Sequence, residues 1–192
     1  CLDENEVVVD NFMYDTNWQP GYRIWSYSSR NRILTTFRYD EYEPNYEGIK
    51  IIRMRDENGN VINEINADGL FLKGNFQYNK CLAIKDKKNK KILVYIDENG
   101  NIIEIPNIRL HGEPEDIECF FVTDNVIVVN DEDGATMLTT KGEVIFDSYR
   151  MRYLSGCLVE YYDLESGHCG VIDSTGKITI PALYDTFDVI SQ

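Results

Sequence analysis

The chain repeats one pattern of apolar and polar positions: a short apolar run, a polar turn with Asp and Gly, and a second apolar run. The pattern is clearest at residues 93–103, where the first run ends at Asp97 and the second begins after Gly100. Within each run, apolar and polar residues alternate as they do in half-buried strands. An Asp that bonds the downstream backbone and a Gly that adopts a positive φ are typical of tight turns. The pattern therefore predicts a series of β-hairpins.

The predicted turns recur at a nearly constant interval. Gly59, Gly100 and Gly142 lie 41 and 42 residues apart, and Gly176 follows 34 residues later. A degenerate first copy at residues 24–34 has Asn31 at the glycine position, and Asn tolerates a positive φ better than other non-glycine residues. A period of about 40 residues with two or three strands per copy is typical of stacked β units.

These patterns predict an all-β fold of tandem antiparallel β-meanders, each about 40 residues long. A further strand precedes each later hairpin, and residues 187–190 are a candidate fourth strand. We expect a single β-repeat domain over residues 1–192, with residues 1–6 as a polar N-terminal linker. The four to five repeats are centred on Asn31, Gly59, Gly100, Gly142 and Gly176. Both an open β-solenoid-like stack and a small β-propeller fit this repeat pattern. Pairing of residues 7–9 with residues 188–190 would close the stack into the ring of a propeller.

The last copy, at residues 169–185, resembles the bacterial WG repeat. In that family a Trp-Gly pair precedes a strand that reads Tyr-Ile-Asp or Val-Ile-Asp, and a Gly-Lys turn, an Ile-Pro step and a Tyr-Asp pair follow. Here Cys169 stands at the Trp position and Gly170 keeps the Gly, while Ile105-Pro106 preserves the Ile-Pro step of an earlier copy. Residues 67–80 match nothing in the repeat. The resemblance implies a β-repeat fold, a binding function and a cell-surface or secreted setting, and it brings no catalytic residues.

The charge of the chain narrows the classes of partner. Its 192 residues carry 19 Lys and Arg against 33 Asp and Glu, a net charge of −14. Nucleic acid and anionic lipid both require a positive field, so the charge argues against both. The hydrophobic content of 43% fits a globular chain. We therefore expect a protein or carbohydrate partner at an extended β surface or a loop face, and no cofactor.

The first residue, Cys1, precedes a polar stretch in the way that a mature bacterial lipoprotein begins. This resemblance implies lipidation of Cys1 and an extracytoplasmic protein anchored to the cell envelope, with membrane contact through that lipid alone. The alternative is a boundary cut from a longer chain, with a cytoplasmic location. The other four cysteines form no CxxC pair, and we expect buried, reduced thiols that pack as small hydrophobes. Cys81 and Cys157 each precede a Leu, which predicts equivalent packing positions.

An aromatic and acidic segment supplies the candidate binding residues. Exposed Trp and Tyr side chains are good anchors for proteins or sugars because they give a large contact area at small entropic cost. The candidates are Trp18, Tyr22, Tyr42 and Tyr46. The alternative is that they pack the first repeat.

Three other features of the sequence bear on its chemistry. His168 and Cys169 are neighbours on a predicted strand, where their side chains would point to opposite faces, which disfavours a thiol nucleophile. Asp97 and Gly100 suit a turn better than a calcium loop, in which Gly would take the sixth place rather than the fourth. The basic run at residues 85–91 is predicted to be a hairpin tip.

We therefore expect a non-catalytic binding module and no catalytic or metal site. Two alternatives stay open. One is a carbohydrate-active enzyme that uses a pair of carboxylates, and the other is a structural spacer or a fragment of a longer repeat array.

Overall fold

The computed structural model describes residues 22–29, 32–39, 51–56, 60–66, 69–87 and 90–187. These residues form sixteen β-strands and no helix, so the all-β prediction is confirmed. Accordingly, the described ranges contain no helix with the length and apolar character needed to cross a membrane.

The strands form four sheets, and each sheet is an antiparallel meander of four strands in chain order. The first sheet contains β1 (Tyr22–Ser29), β2 (Arg32–Tyr39), β3 (Ile51–Arg55) and β4 (Val61–Asn66). The second contains β5 (Leu70–Gln77), β6 (Lys80–Lys87), β7 (Lys90–Asp97) and β8 (Ile102–Glu104). The third contains β9 (Glu118–Phe121), β10 (Val126–Asp131), β11 (Gly134–Thr139) and β12 (Val144–Ser148). The fourth contains β13 (Arg150–Ser155), β14 (Leu158–Asp163), β15 (His168–Asp173) and β16 (Ile178–Tyr184).

The predicted meander repeats are present, but one detail of the prediction was wrong. The segment around Asn31 connects β1 to β2, which belong to the same sheet as the hairpin that flanks Gly59, so it is not a separate repeat. The fourth described strand of the last sheet is β13, which precedes the hairpins. Phe187 lies outside a strand, and residues 188–190 and 7–9, whose pairing would close a ring, lie outside the described residues.

Each inner sheet packs against both of its neighbours, and alternate residues of its strands face opposite ways. On β6, Cys81 and Ala83 join the core between the first and second sheets, whereas Leu82 and Ile84 join the core between the second and third. Val128 on β10 lies in the core between the third and fourth sheets. Because both faces are buried, these strands have almost continuous apolar sequences.

The Asp-x-x-Gly turn joins the last two strands of a sheet, as the sequence indicates. The Asp97 carboxylate accepts hydrogen bonds from the amides of Asn99 at 2.9 Å and Asn101 at 2.8 Å. Partial burial raises the pKa of Asp97, but the bonds from Asn101 and the turn backbone outweigh it and hold the pKa below its ordinary value. Asp173 accepts equivalent bonds, led by those from Thr175, which likewise lower its pKa. The prediction of turn chemistry is confirmed.

In each described turn between the last two strands of a sheet, the glycine also lies against the last strand of the preceding sheet, or just beyond the end of that strand. A Cβ on Gly142 would overlap the carbonyl oxygen of Pro106, which follows β8. A Cβ on Gly176 would lie 2.9 Å from the side chain of Ile145 on β12. At Gly100, a Cβ would overlap the Asn63 side chain of β4. Glycine therefore serves both the turn and the close packing of consecutive sheets.

The four described cysteines are free thiols, in agreement with the sequence. Burial raises the pKa of both Cys81 and Cys119 to about 12, which keeps these thiols protonated. Cys157 does not pack like Cys81. It lies exposed in the connection between β13 and β14, so its predicted burial was wrong. The basic run at residues 85–91 spans the β6–β7 hairpin, as predicted.

The packing of Gly142 predicts the effect of Gly142→Ala on stability. Gly142 has a φ of 81°, and an added Cβ would require the turn to move away from Pro106. Gly156 is a matched control, because its φ is 56° but no atom lies within 4 Å of an added Cβ. The left-handed backbone alone costs about 1–2 kcal/mol, so Gly156→Ala should lower the melting temperature by about 2–8 °C.

We expect Gly142→Ala to lower the free energy of unfolding by at least about 2 kcal/mol more than Gly156→Ala does, because backbone rather than a flexible side chain must shift. Its melting temperature should therefore fall by roughly 4–8 °C more. Thermal unfolding followed by circular dichroism measures the melting temperatures of the two variants. Equal melting temperatures for the two variants would contradict the inter-sheet contact.

Candidate binding groove

The candidate site lies along β13, the first strand of the fourth sheet. Successive residues of β13 alternate between its two faces. Met151 is buried in the core between the third and fourth sheets, whereas Arg150 and Arg152 are largely exposed. β13 pairs with β14 on one side only, because it lies at the edge of its sheet.

A buried asparagine fixes the free edge of β13. The side chain of Asn130, on β10, donates from Nδ2 to the carbonyl oxygen of Met151 at 3.0 Å. Its Oδ1 accepts the amide of Met151 at 2.8 Å. Asn130 thus bonds the backbone of Met151 as a neighbouring strand would, and the buried amide has its partners. This pair of bonds ties β13 to the third sheet.

A cavity of about 700 Å³ opens beside this strand. We call it the β13 groove, defined by four aromatic and two basic side chains: Phe120, Tyr149, Arg150, Arg152, Tyr153 and Tyr162. Its size lies within the range of typical ligand-binding clefts.

The aromatic residues of the groove form two pairs, which we call the aromatic notches. The first notch is Tyr149 with Tyr162, whose ring centroids are 5.9 Å apart at an interplanar angle of 57°. The second is Phe120 with Tyr153, at 6.1 Å and 74°. Tyr149 is 56% exposed and Tyr153 45% exposed. Each notch therefore presents an apolar surface to solvent.

The two arginines of the groove have different partners. Arg152 lies 2.8 Å from the Glu160 carboxylate, and it donates to the carbonyl oxygen of Phe187 at 2.6 Å. The amide of Phe187 also donates to Glu160, at 3.2 Å. This three-way arrangement holds the chain that follows β16 against the face of the fourth sheet. Arg150 instead approaches Glu118 at 3.8 Å, and both side chains of this pair are more than 60% exposed.

Cys169 also lines the groove but is not arranged as a nucleophile. Burial, followed by the nearby Glu160, raises the pKa of its thiol. The Sγ donates to the carbonyl oxygen of Asp185 at 3.5 Å. A protonated, bonded thiol is a poor nucleophile. His168 precedes Cys169 on β15, so the side chains of the two residues point to opposite faces of the strand. The Nδ1 atom of His168 instead lies 3.3 Å from the Asp185 carboxylate.

A smaller cavity of about 250 Å³ adjoins the groove and shares Glu118, Tyr149 and Arg150 with it. Its other lining residues include Asp116 and Asp131. Within the part of the chain that the structure describes, no three His, Cys, Asp or Glu side chains are grouped to hold a metal ion. The Asp131 carboxylate instead accepts the backbone amides of His111 and Asp133, each at 3.0 Å.

None of the binding residues predicted from sequence has a side chain that the structure describes. Trp18, Tyr42 and Tyr46 lie outside the described residues, as does Cys1. Tyr22 begins β1, of which the structure describes the backbone alone. Their role in binding stays a prediction.

Sequence reasoning missed the groove, although one signal was present. Residues 149–153 read Tyr-Arg-Met-Arg-Tyr, which alternates Arg with Tyr and Met and contains two of the three residue types most enriched at binding hot spots.

No family model and no curated protein matches the chain. Among solved structures, the chain is similar to the crystal structure of a protein of unknown function from Bacteroides caccae, at 12% sequence identity and a TM-score of 0.46. That match covers 84% of this chain and 61% of the other, so the chain spans about three-fifths of the length of that protein.

Proposed function

We propose that this protein is a non-catalytic binding module of the WG-repeat type that holds a protein or glycan partner in the β13 groove. The observation that carries the proposal is the groove itself, a cavity of about 700 Å³ that combines two exposed aromatic notches with arginine side chains. Tyr and Arg are enriched among the residues that dominate binding energies.

The rigidity of the groove supports this function. Asn130 fixes the backbone of Met151, between the two notches, and the bonds among Arg152, Glu160 and Phe187 fix one wall. A site whose side chains are already positioned loses less entropy when a partner binds. The groove is therefore suited to binding without rearrangement.

The carboxylates of the groove support binding over hydrolysis. A glycosidase requires one carboxylic acid to donate a proton and a second carboxylate to attack or to activate water. Glu160 is held by the Arg152 guanidinium and the Phe187 amide, and Glu118 lies beside Arg150. Both glutamates are thus placed as partners of arginines.

The packing of Gly170 supports the WG-repeat type. A Cβ at Gly170 would lie 2.5 Å from the ring of Tyr161 on β14, so this position of β15 requires glycine. This gives a physical reason for the Gly of the Trp-Gly pair, while Cys169, at the Trp position, is buried.

Binding at the groove is tested with the double variant Tyr149→Ala/Tyr153→Ala. Wild-type protein and variant are screened against a glycan array and a displayed peptide library, and any ligand of either class is then titrated by calorimetry. We expect the double variant to weaken the best ligand by at least about tenfold, since each hot-spot residue is worth about 1–2 kcal/mol or more.

The matched control is Tyr78→Ala. Tyr78 is 51% exposed and makes an edge-to-face pair with Phe121 at 6.1 Å, like Tyr153 with Phe120, but it does not line the groove. We expect this control to bind as the wild type does. Ligands that bind all three proteins equally would place the binding surface elsewhere and contradict the proposal.

A further inference from the structure

We infer that the ligand of the β13 groove is an oligosaccharide that carries a hexuronic acid, bound at the outer face of the fourth sheet. The Tyr149 ring supports the acidic sugar, and the Arg150 guanidinium binds the carboxylate of that sugar. This inference rests on the proposed function and adds to it the chemical class of the ligand and the part of the groove that the ligand occupies.

The strand register places an aromatic pair and a guanidinium on the same face. Arg150 lies directly opposite Tyr162 of β14, so the two side chains share one face of the fourth sheet. This is the outer face, because Met151 and Tyr161 point into the core between the third and fourth sheets. Tyr149 precedes β13, and its ring centroid lies 5.9 Å from that of Tyr162. These three side chains, Tyr149, Arg150 and Tyr162, form what we call the outer-face site.

Tyr149 offers a surface for the apolar face of a sugar ring. The residue is 56% exposed, and the ring of Tyr162 meets it at 57° rather than lying flat over it. Tyrosine combines an apolar ring with a hydroxyl group that can bond a polar ligand. A pyranose has the matching character, since its C–H groups can pack on the ring while its hydroxyl groups meet polar neighbours.

Arg150 is the arginine of the groove that a ligand carboxylate can engage. Its side chain is 69% exposed, and its contact with Glu118, itself 65% exposed, is 3.8 Å long. Exposed pairs of this kind contribute little stability. A guanidinium can instead hold a ligand carboxylate through two parallel hydrogen bonds, which are stronger and more directional. Arg152 is less suited to this exchange because it is bonded to Glu160 and Phe187.

The charges around the site favour a single carboxylate over a polyanion. Arg150 and Arg152 are matched by Glu118 and Glu160, and the chain as a whole carries a net charge of −14. A polyanion would therefore be repelled along its length. One carboxylate requires only Arg150. We thus expect a hexuronic acid next to neutral sugars rather than a run of charged sugars.

The smaller cavity offers hydrogen-bond acceptors to a neighbouring sugar. It adjoins the outer-face site because it is also lined by Tyr149 and Arg150, and its lining includes the carboxylates of Asp116, Asp131 and Glu132. An ionised carboxylate only accepts hydrogen bonds. Each sugar has several hydroxyl donors, whereas a peptide backbone has one N–H per residue. This wall of acceptors therefore favours a glycan over a peptide.

The edge of β13 also disfavours a peptide that binds by strand addition. Strand addition needs free backbone N–H and C=O groups at the edge of a sheet. The amide and the carbonyl of Met151 both bond the Asn130 side chain. The centre of this edge therefore has no free backbone groups to pair with a peptide.

The test is a panel of oligosaccharides that contain glucuronic, galacturonic, mannuronic or guluronic acid, each paired with its carboxyl-reduced counterpart. The full chain is screened against this panel and against a displayed peptide library, and each pair that binds is titrated by calorimetry. We expect a uronic acid oligosaccharide to bind at least about tenfold more tightly than its reduced counterpart, because hydrogen bonds between charged groups are the stronger ones.

A variant of Arg150 assigns the contact with the carboxylate. Arg150→Gln should reduce the preference for the acid over its reduced counterpart to within about twofold, since the charge that distinguishes them is gone. The matched control is Arg109→Gln, because Arg109 is exposed but does not line the groove, and this control should keep the full preference. A ratio of two affinities measured on one protein does not depend on how much of the sample is folded, so the test stays valid where a variant changes stability.

Variants of Tyr149 assign the contact with the sugar ring. Tyr149→Ala should weaken the acid and its reduced counterpart alike, each by at least about tenfold, because both pack on the ring. Tyr149→Phe, which keeps the ring, should restore most of this loss. The control Tyr78→Ala should bind both sugars as the wild type does.

Each contrary outcome has a separate meaning. Absence of binding to every uronic acid oligosaccharide would overturn the inference, as would equal binding of the acids and their reduced counterparts or an unchanged preference in Arg150→Gln. Peptides that bind the wild type and fail to bind Tyr149→Ala/Tyr153→Ala, with no sugar bound, would overturn the glycan but leave the groove as the binding site. Ligands that bind the wild type and every groove variant equally would overturn the groove as well.

Discussion

The structure depends on consecutive sheets packing closely enough to bury both faces of each inner sheet. The second and third sheets have apolar side chains on both faces, as the opposite directions of Cys81 and Leu82 show, so neither sheet can bury its surface alone. Only a neighbouring sheet on each side can cover these side chains. Consecutive sheets lie so close together that Gly142 contacts the backbone of Pro106 and Gly176 contacts Ile145. Glycine at these two turns is thus a condition of stacking as well as of chain reversal.

The groove arises where this stack reaches its last sheet. Met151 is buried against the third sheet like a residue of an inner strand, and Asn130 bonds its backbone. The residues before and after Met151 on the same strand, Arg150 and Arg152, have no sheet over them among the described residues, and their side chains are more than half exposed. One strand therefore combines a fixed backbone with exposed aromatic and basic side chains. Such a combination is what a preorganised binding site requires.

Features that depend on neighbouring residues could be predicted from the sequence. The turn at Asp97 and Gly100 needs an acceptor and a positive φ within four residues, and both are visible in the order of the amino acids. The alternation that assigns Leu82 and Ala83 to opposite faces is equally local. The all-β class and the repeated meanders follow from these two signals.

Features that depend on residues far apart in the chain could not be predicted from the sequence. The first strand of each meander carries no Asp-x-x-Gly signature, so β5, with Gly74 inside it, matched nothing in the repeat. The notch of Phe120 and Tyr153 joins residues 33 positions apart on different sheets. Cys157 follows the sequence pattern of Cys81, yet the loop before β14 leaves it in solvent. These placements follow from how the sheets meet, which the linear order does not encode.

Because the second, third and fourth sheets share their cores, we expect them to unfold as one cooperative unit. Native-state hydrogen exchange in increasing urea tests this cooperativity, because it measures the opening free energy of each strand separately. The amides of β6, β10 and β14 should converge on one free energy and one urea dependence, since opening any of these sheets exposes the core of the next. Exchange of β14 through a small opening of its own, while β6 and β10 stayed protected, would contradict this cooperativity.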